Sequence, residues 1–435
     1  MVNKLEKIGE KRIPGFSQLL SKRPDQFSRE FWPKYYSKAK GTYIWDMEGK
    51  KYLDFSFSGI GANVLGYADA DVNREVKKAI NMGSSSSINC SEEAELAEVL
   101  CKMHKWADMV RYARSGGEAV SIAIRIARTY SQKDKVLFCG YHGWSDWYLA
   151  SNINAGSNLD NHLLPSLKSS GIPKGLAGTS IPFNYNDLDG FKHLFEKHIK
   201  DLGCVIMEPV RTTKPNAGFL ETISKMCKKN NIPLIFDEIS SGFRICPGGS
   251  HLKFKVNPDI AVFAKAIGNG FPVSAIIGSQ EIMSSAQDTF ISSTNWTERT
   301  GSVAALATIK KFQNKNVHKH LHRMGKQVQN FWKEMSDKYN LDVEVSGLYQ
   351  LSYMSFKKDN DIKKTFFVEQ MLNKSILAST RYYPNFAQND SHFKKYKKAA
   401  ESVFKEINLL SKDGNRDLIK AIKGSVSKPG FKRYA

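Results

Sequence analysis

Apolar positions follow two rhythms along this chain. From about Val136 to Ser279, short apolar runs recur at Val136–Cys139, Cys204–Met207, Leu234–Asp237, Ile260–Ala264 and Val273–Ile277, and the run Met109-Val110-Arg111-Tyr112-Ala113 precedes them. Runs of this length, bounded by polar residues, suit strands buried on both faces of a parallel sheet. Helical patterns lie between them. The clearest places Ala119, Ile122, Ala123, Ile126, Ala127 and Tyr130 on one face at i, i+3, i+4, i+7 spacing. The alternation predicts an α/β fold, a mostly parallel sheet wrapped by helices. Upstream, Thr42–Asp46 and Lys51–Phe55 flank the turn Met47-Glu48-Gly49-Lys50 and predict a hairpin. Ser56 to Tyr67, with Gly59, Gly61, Asn63 and Gly66, reads as a flexible loop, and so does the serine run 84–87. Beyond about Ala305 the texture changes to long lysine-rich helices with few strands, which predicts a smaller C-terminal domain. No internal repeat stands out.

Composition narrows the class. At 435 residues, 41% of them hydrophobic, the chain has material for two or three domains. No run approaches the roughly 18 apolar residues of a membrane span, and Met1–Lys7 lacks the apolar core of a secretory signal. The six cysteines, at 90, 101, 139, 204, 227 and 246, form no C-x-x-C or zinc pattern, so no metal is predicted. Several sit in apolar runs, as buried free thiols do, which predicts a reducing cytoplasm. Sixty-four Lys and Arg against 43 Asp and Glu give a net charge of +21, spread along the chain. Without a zinc finger, an RNP-type aromatic motif or a long basic tract, this excess does not predict nucleic-acid binding. His392-Phe393-Lys394-Lys395-Tyr396-Lys397-Lys398 reads instead as the solvated face of a helix. The charge does suit attraction of an anionic substrate, such as a phosphorylated or nucleotide-linked sugar.

Three segments carry candidate chemistry. The run 261–264 delivers Lys265 into the glycine-rich stretch Ala266-Ile267-Gly268-Asn269-Gly270. An apolar pocket lowers an amine's pKa, and a lysine so tuned can attack a carbonyl and form a Schiff base. A lysine extending its charge past a strand edge would read the same way in isolation. Leu234-Ile235-Phe236 ends in Asp237-Glu238, at the strand end where open α/β sheets place ligand chemistry. Asp237 there could hold a protonated ring nitrogen or cap a helix; a metal role lacks nearby His or Cys partners. Arg114-Ser115-Gly116-Gly117-Glu118-Ala119 opens the helix described above, and glycines at a helix start leave amides for a phosphate. The turn is neither a dinucleotide fingerprint nor a P-loop. A phosphate cradle, a ring-nitrogen acid and a Schiff-base lysine together point to pyridoxal phosphate.

The order and wording of these segments resemble the class III aminotransferases, most closely the branch around glutamate-1-semialdehyde aminomutase. Ser115-Gly116-Gly117-Glu118-Ala119 is similar to the family's S-G-T-E-A phosphate turn, with Gly117 in place of Thr. Tyr141-His142-Gly143-Trp144 resembles Y-H-G-H, and Glu208-Pro209-Val210 matches E-P-V. Asp237-Glu238-Ile239-Ser240-Ser241-Gly242-Phe243-Arg244 resembles D-E-V-x-x-G-F-R, and Lys265 to Pro272 resembles K-x-x-G-G-G-x-P. Ser293-Thr294 stands where the family has a Gly/Ser-Thr pair. The resemblance runs from about Ile13 to the C-terminus.

The resemblance implies a large pyridoxal phosphate domain over 61–305. A small α+β domain would occupy 306–435 and be completed by an N-terminal segment, 1–60. Lys265 would carry the cofactor's aldehyde as a Schiff base and move the proton, with Asp237 on the ring nitrogen. Tyr141 and Ile239 would sandwich the ring, and Ser115, Gly116 and Gly117 would bind the phosphate. His142 and Glu208 would also lie in the cofactor site, and Thr294 would reach the neighbouring site of a homodimer. The implied activity is transfer of an amino group from an amino-acid donor to a carbonyl acceptor, with intramolecular aminomutation as the alternative and a non-catalytic binding protein as a third reading.

Some residues depart from the aminomutase wording. Trp144 replaces a His and Asn269 replaces a Gly, an exchange that left-handed backbone angles tolerate. Arg211-Thr212-Thr213 and the stretch 294–301 also differ. Asn63, Trp144, Arg211 and Arg299 are the candidate substrate contacts, with Arg244 and Arg114 as further basic candidates.

Overall fold

The computed structural model describes residues 2–155, 157–162, 167–210, 212–412 and 414–428. The chain forms two compact units, divided between Asp69 and Ala70 and again between His318 and Lys319. The first therefore combines both ends of the chain, and the second holds the middle.

The middle unit is built on a seven-stranded sheet. Its order is Met109–Ala113, Ser274–Gly278, Ile260–Phe263, Leu234–Asp237, Leu202–Met207, Lys135–Cys139 and Ser180–Pro182. Ser274–Gly278 is antiparallel to both of its neighbours, and every other pairing is parallel. The α/β expectation of a mostly parallel sheet therefore holds, with one reversed strand. The apolar runs become strands because both faces are covered: every residue of Leu202–Met207, Leu234–Asp237, Ile260–Phe263 and Ser274–Gly278 is buried. Ser180–Pro182 escapes the pattern, since three residues ending in proline carry no period, yet its pairing extends the sheet beyond Lys135–Cys139. On one face, the helix Gly116–Ser131 buries Ala119, Ile122, Ala123, Ile126 and Ala127 against Val136, Ile206, Ile235, Val262 and Ile276. On the other, Phe191, Phe195, Phe219 and Ile223 pack on Leu137, Val205, Leu234 and Phe236.

The first unit contains the hairpin, Tyr43–Asp46 with Lys51–Phe55, inside a four-stranded sheet. Tyr36–Lys40 borders it on one side and Ile376–Ala378 pairs parallel to Lys51–Phe55 on the other. A second, three-stranded antiparallel sheet joins Val343–Leu348, Leu351–Phe356 and Arg381–Tyr382. The long helix Asp390–Leu410 starts at an Asn389 cap, where Asn389 Oδ1 accepts from the His392 amide at 3.1 Å and His392 Nδ1 accepts from the Asn389 amide at 3.2 Å. Its lysines divide as the sequence pattern requires: Lys394, Lys395 and Lys398 are exposed, while Tyr396, Ala400, Val403, Phe404 and Ile407 are buried. Phe55 stacks on Tyr396 at 4.7 Å and on Tyr382 at 5.2 Å, and Trp332 Nε1 donates to the Tyr396 hydroxyl at 2.7 Å. Among the described residues no helix is long and apolar enough to cross a membrane.

Trp332 is fully buried in this aromatic cluster, so Trp332→Ala should cost about 3–5 kcal/mol. A urea titration followed by far-UV circular dichroism should show the lower midpoint. Trp332→Phe keeps most of the ring but removes the donor to Tyr396, and should cost about 1–3 kcal/mol.

Candidate active site

Six of the seven strands of the middle unit run in one direction, and five of them end along one edge of the sheet, at Ala113, Phe263, Asp237, Met207 and Cys139, with the reversed strand Ser274–Gly278 between the first two. Each candidate cofactor residue except Thr294 lies at one of these ends or a few residues past it. Parallel register therefore gathers Ser115 to Gly117, Tyr141 and His142, Glu208, Asp237 and Ile239, and Lys265 at one edge of the sheet, where such sheets bind ligands.

Asp237 is buried and held from two sides. His142 Nδ1 lies 2.8 Å from its Oδ2, and the Ile239 amide donates to its Oδ1 at 3.0 Å. His142 Nε2 is itself buried with no hydrogen-bond partner among the described residues. One strand over, Glu208 Oε2 accepts from the Tyr141 amide at 3.1 Å. Burial, aided by Asp237 and Glu208, pushes the Tyr141 phenol up.

Lys265 follows Phe263 by two residues and opens a short turn, Lys265–Gly268. Its φ is +51°, a left-handed value that costs a side-chain-bearing residue energy and recurs at functional sites. Nζ donates to Ser240 Oγ at 2.7 Å. Desolvation holds its pKa below the ordinary lysine value; Glu208 and Asp237 oppose that shift and Arg244 adds to it. Asn269 adopts φ +45°, so the asparagine takes the left-handed conformation for which the family uses glycine.

Ser115 caps the helix Gly116–Ser131 in a capping box. Its Oγ accepts from the Glu118 amide at 3.4 Å, while Glu118 Oε2 accepts from the Ser115 amide at 2.7 Å and from Oγ at 2.9 Å. The amides of Gly116 and Gly117 belong to the first turn, where no helix carbonyl can reach them. A Cβ on Gly116 would come within 2.8 Å of Ile239 Cδ1, so the turn packs directly on the residue after Glu238.

Behind Asp237 stands a support that the sequence did not signal. Glu238 is fully buried. It accepts from Ser250 Oγ at 2.8 Å, from the His251 amide at 2.9 Å and from Ser241 Oγ, with His251 Nδ1 also at 2.9 Å. Burial pushes this carboxyl up, but the hydrogen bonds and the His251 ring outweigh it and hold its pKa below the usual range. Trp106 Nε1 donates to His251 Nε2 at 3.0 Å, which leaves the His251 proton on Nδ1, facing Glu238. His104, pushed down to about 4 chiefly by burial, accepts the Gly249 amide at 3.0 Å.

The remaining candidates are placed variously. Thr294 is exposed at the start of the turn Thr294–Thr297. That loop is clamped to the turn before the helix Gly116–Ser131 by Arg114, whose Nε donates to the Asn295 carbonyl at 2.6 Å and whose Nη2 donates to the carbonyls of Trp296, at 3.0 Å, and Glu298. Trp296 Nε1 adds a bond to Glu118 Oε1 at 3.2 Å. Arg299 is committed to Glu92, with Nε 3.0 Å from each carboxylate oxygen and Nη2 2.6 Å from Oε1. Arg244 is buried within the unit. Asn63 belongs to the first unit, where its Nδ2 donates to the Ser58 carbonyl at 3.4 Å. Arg211 lies outside the described residues. The exposed Trp144 indole lies against Gly117. Ser240, the partner of Lys265, was missed as a site residue; its only signal is its place between Ile239 and Ser241.

These residues fit pyridoxal phosphate. A helix start offers first-turn amides to a phosphate, a carboxylate keeps lone pairs beside an unpartnered buried imidazole nitrogen, and a desolvated amine sits two strand ends away from the phosphate turn.

Comparison with known proteins agrees. The family model described as Aminotransferase class-III matches residues 28–392. Glutamate-1-semialdehyde 2,1-aminomutase 2 of Lachnoclostridium phytofermentans is 33% identical over 334 residues, covering 74% of this chain and 77% of that protein. The 3-aminobutyryl-CoA aminotransferase of Cloacimonas acidaminovorans is 30% identical over 346 residues, covering 78% and 79%. Among solved structures, the FumI protein of Sphingopyxis sp. MTA144, in its PLP internal aldimine form, superposes with a TM-score of 0.85 over 94% of this chain and 97% of its own, at 21% identity. The chain belongs to the class-III aminotransferase family, enzymes whose cofactor is pyridoxal phosphate.

Proposed function

We propose that this protein transfers an amino group from an amino-acid donor to a separate carbonyl substrate, with Lys265 as the residue that carries the cofactor and moves the proton. The observation that carries this reading is the desolvated Lys265 amine, set at a strand end beside the buried Asp237–His142 pair. When bound, pyridoxal phosphate supplies an aldehyde to take up the amino group and a ring that accepts electrons.

The protein's own groups do the rest. Lys265 Nζ would hold the cofactor through its aldehyde and would take and return the proton at the substrate carbon. Ser240 Oγ holds that amine in position. Asp237 keeps the proton on the ring nitrogen, and His142 fixes the orientation of Asp237. Tyr141 and Ile239 would lie against the ring, and Ser115, Gly116 and Gly117 would take the phosphate. Glu208 steadies the Tyr141 backbone. Thr294 contributes across the interface of a homodimer, its loop held by the Arg114 clamp.

Asn63, Arg211 and Arg299 are the proposed substrate contacts, with Arg299 braced by Glu92; Trp144 is treated below. The net charge of +21 favours an acceptor bearing phosphate or a nucleotide. The six free thiols suit a reducing compartment, the cytoplasm. Domain limits near 60 and 305 belong to the same proposal, ahead of the divisions of the compact units at 69/70 and 318/319.

A separate donor and acceptor are preferred over aminomutation because 211–213 and 294–301 depart from the aminomutase wording. The aminomutase reading keeps one support, the 33% identical relative of that name. Half-reactions decide between them. Incubation of the holoenzyme with a panel of amino donors should bleach the carbonyl-form absorbance with one of them, and an added oxo-acid should restore it. A product formed from a single substrate without any external acceptor would establish the aminomutase instead.

Lys265→Ala should lower amino transfer by about 10²–10⁴-fold while leaving the circular dichroism spectrum unchanged. Retention of more than a tenth of the activity would remove Lys265 from the chemistry.

The pKa direction of Lys265 sets a pH dependence. The neutral amine is the reactive form, so a lowered pKa raises its fraction at any pH below the ordinary value of about 10.4. The rate at which cofactor-free protein takes up pyridoxal phosphate should therefore rise with pH and level off below that value. A rise continuing beyond pH 10.4 would show that burial does not tune this amine.

A further inference from the structure

Two departures from the family wording, Gly117 and Trp144, meet in space. A Cβ built on Gly117 would lie 2.9 Å from Trp144 Nε1 and 3.1 Å from its Cδ1. The indole thus occupies the place where a side chain at 117 would stand, and its N–H donates to no described residue. Gly143, at φ +96°, makes this approach possible. A Cβ there would be 3.2 Å from Gly117 Cα, so the loop carrying Trp144 lies directly on the phosphate turn.

We infer that Trp144 Nε1–H is the side-chain donor to the cofactor's phosphate, in the place of the hydroxyl that position 117 lacks. The inference rests on the pyridoxal phosphate reading of the site. An indole N–H is a donor only, which suits an acceptor with no protons to give. It also stands beside first-turn amides that already favour an anion. Ser115 cannot fill this role unaided, because its hydroxyl is engaged with Glu118 in the capping box. A packing role alone would not account for the ring's exposure: Trp144 is 70% exposed, against 7% for its neighbour Trp147.

The test compares binding of pyridoxal phosphate with binding of phosphate-free pyridoxal to cofactor-stripped full-length protein, by equilibrium dialysis. Trp144→Phe retains a ring and removes the N–H. It should weaken pyridoxal phosphate by about 10–100-fold, the range for a bond to a charged group, and leave pyridoxal within about twofold. In ¹⁵N-labelled protein, the indole N–H signal that Trp144→Phe deletes should shift when inorganic phosphate is added. The double variant Gly117→Thr with Trp144→Ala gives a hydroxyl the vacated space and should recover most of the lost affinity. Equal affinity of wild type and Trp144→Phe for pyridoxal phosphate would overturn the inference. So would equal weakening of both ligands, which marks ring packing, or no recovery in the double variant. Wild-type protein that binds neither ligand would overturn the cofactor reading itself, an outcome separable from the rest because every other comparison starts from a wild type that binds.

Discussion

Parallel pairing is the constraint on which the site depends. Because Leu202–Met207, Leu234–Asp237 and Ile260–Phe263 advance together in register, Met207 pairs with Phe236 and Asp237 with Val262, so their following residues emerge at one level. A slip of one residue in any pairing would turn a buried strand face over and swing Asp237 or Lys265 out of reach. The apolar burial of these strands, complete on both faces, is therefore what sets the spacing between the acid and the amine. The geometry of the candidate site is inherited from hydrophobic packing.

Much of this was legible in the chain. The strands of the middle unit read clearly because both-face burial leaves unbroken apolar runs, and the helix after Ser115 because its apolar stripe is regular. The candidate site residues stood out because they sit immediately past those runs. Three kinds of feature were not. Ser180–Pro182 is too short to show a period. The contact of Lys265 with Ser240 joins residues 25 apart, and the bond between His104 and Gly249 joins residues 145 apart, separations over which no local pattern carries information. The contact between Gly117 and Trp144 was hidden for the same reason: each reads as an isolated departure until the fold brings the two together.

The buried polar groups around Glu238 show how hydrogen bonds can hold the end of an interior strand. A charged carboxyl buried alone would be costly, and here several donors converge on it. The network fixes the backbone that follows Asp237 and so fixes Ile239 and Ser240 with it. Arg114 acts similarly at the other end of the site, spending its donors on main-chain carbonyls, which makes it a brace for the 295–298 loop.

Met109–Ala113 is an edge strand, paired with Ser274–Gly278 as its one neighbour among the described residues, and Met109 is partly open to solvent. The candidate phosphate turn, Ser115 to Gly117, hangs from this edge, whereas the amine and the acid hang from interior strands. Within the sheet the two halves of the site are thus joined by way of Ser274–Gly278, with an antiparallel ladder on each of its sides; the outer ladder, at the sheet's edge, is the kind of element that opens locally at less cost than the whole fold. A ligand gripped by both halves would act as a staple across that ladder. Release of the cofactor and loosening of the sheet's edge would then be two views of one event, with retention of the prosthetic group serving the protein's durability as well as its chemistry.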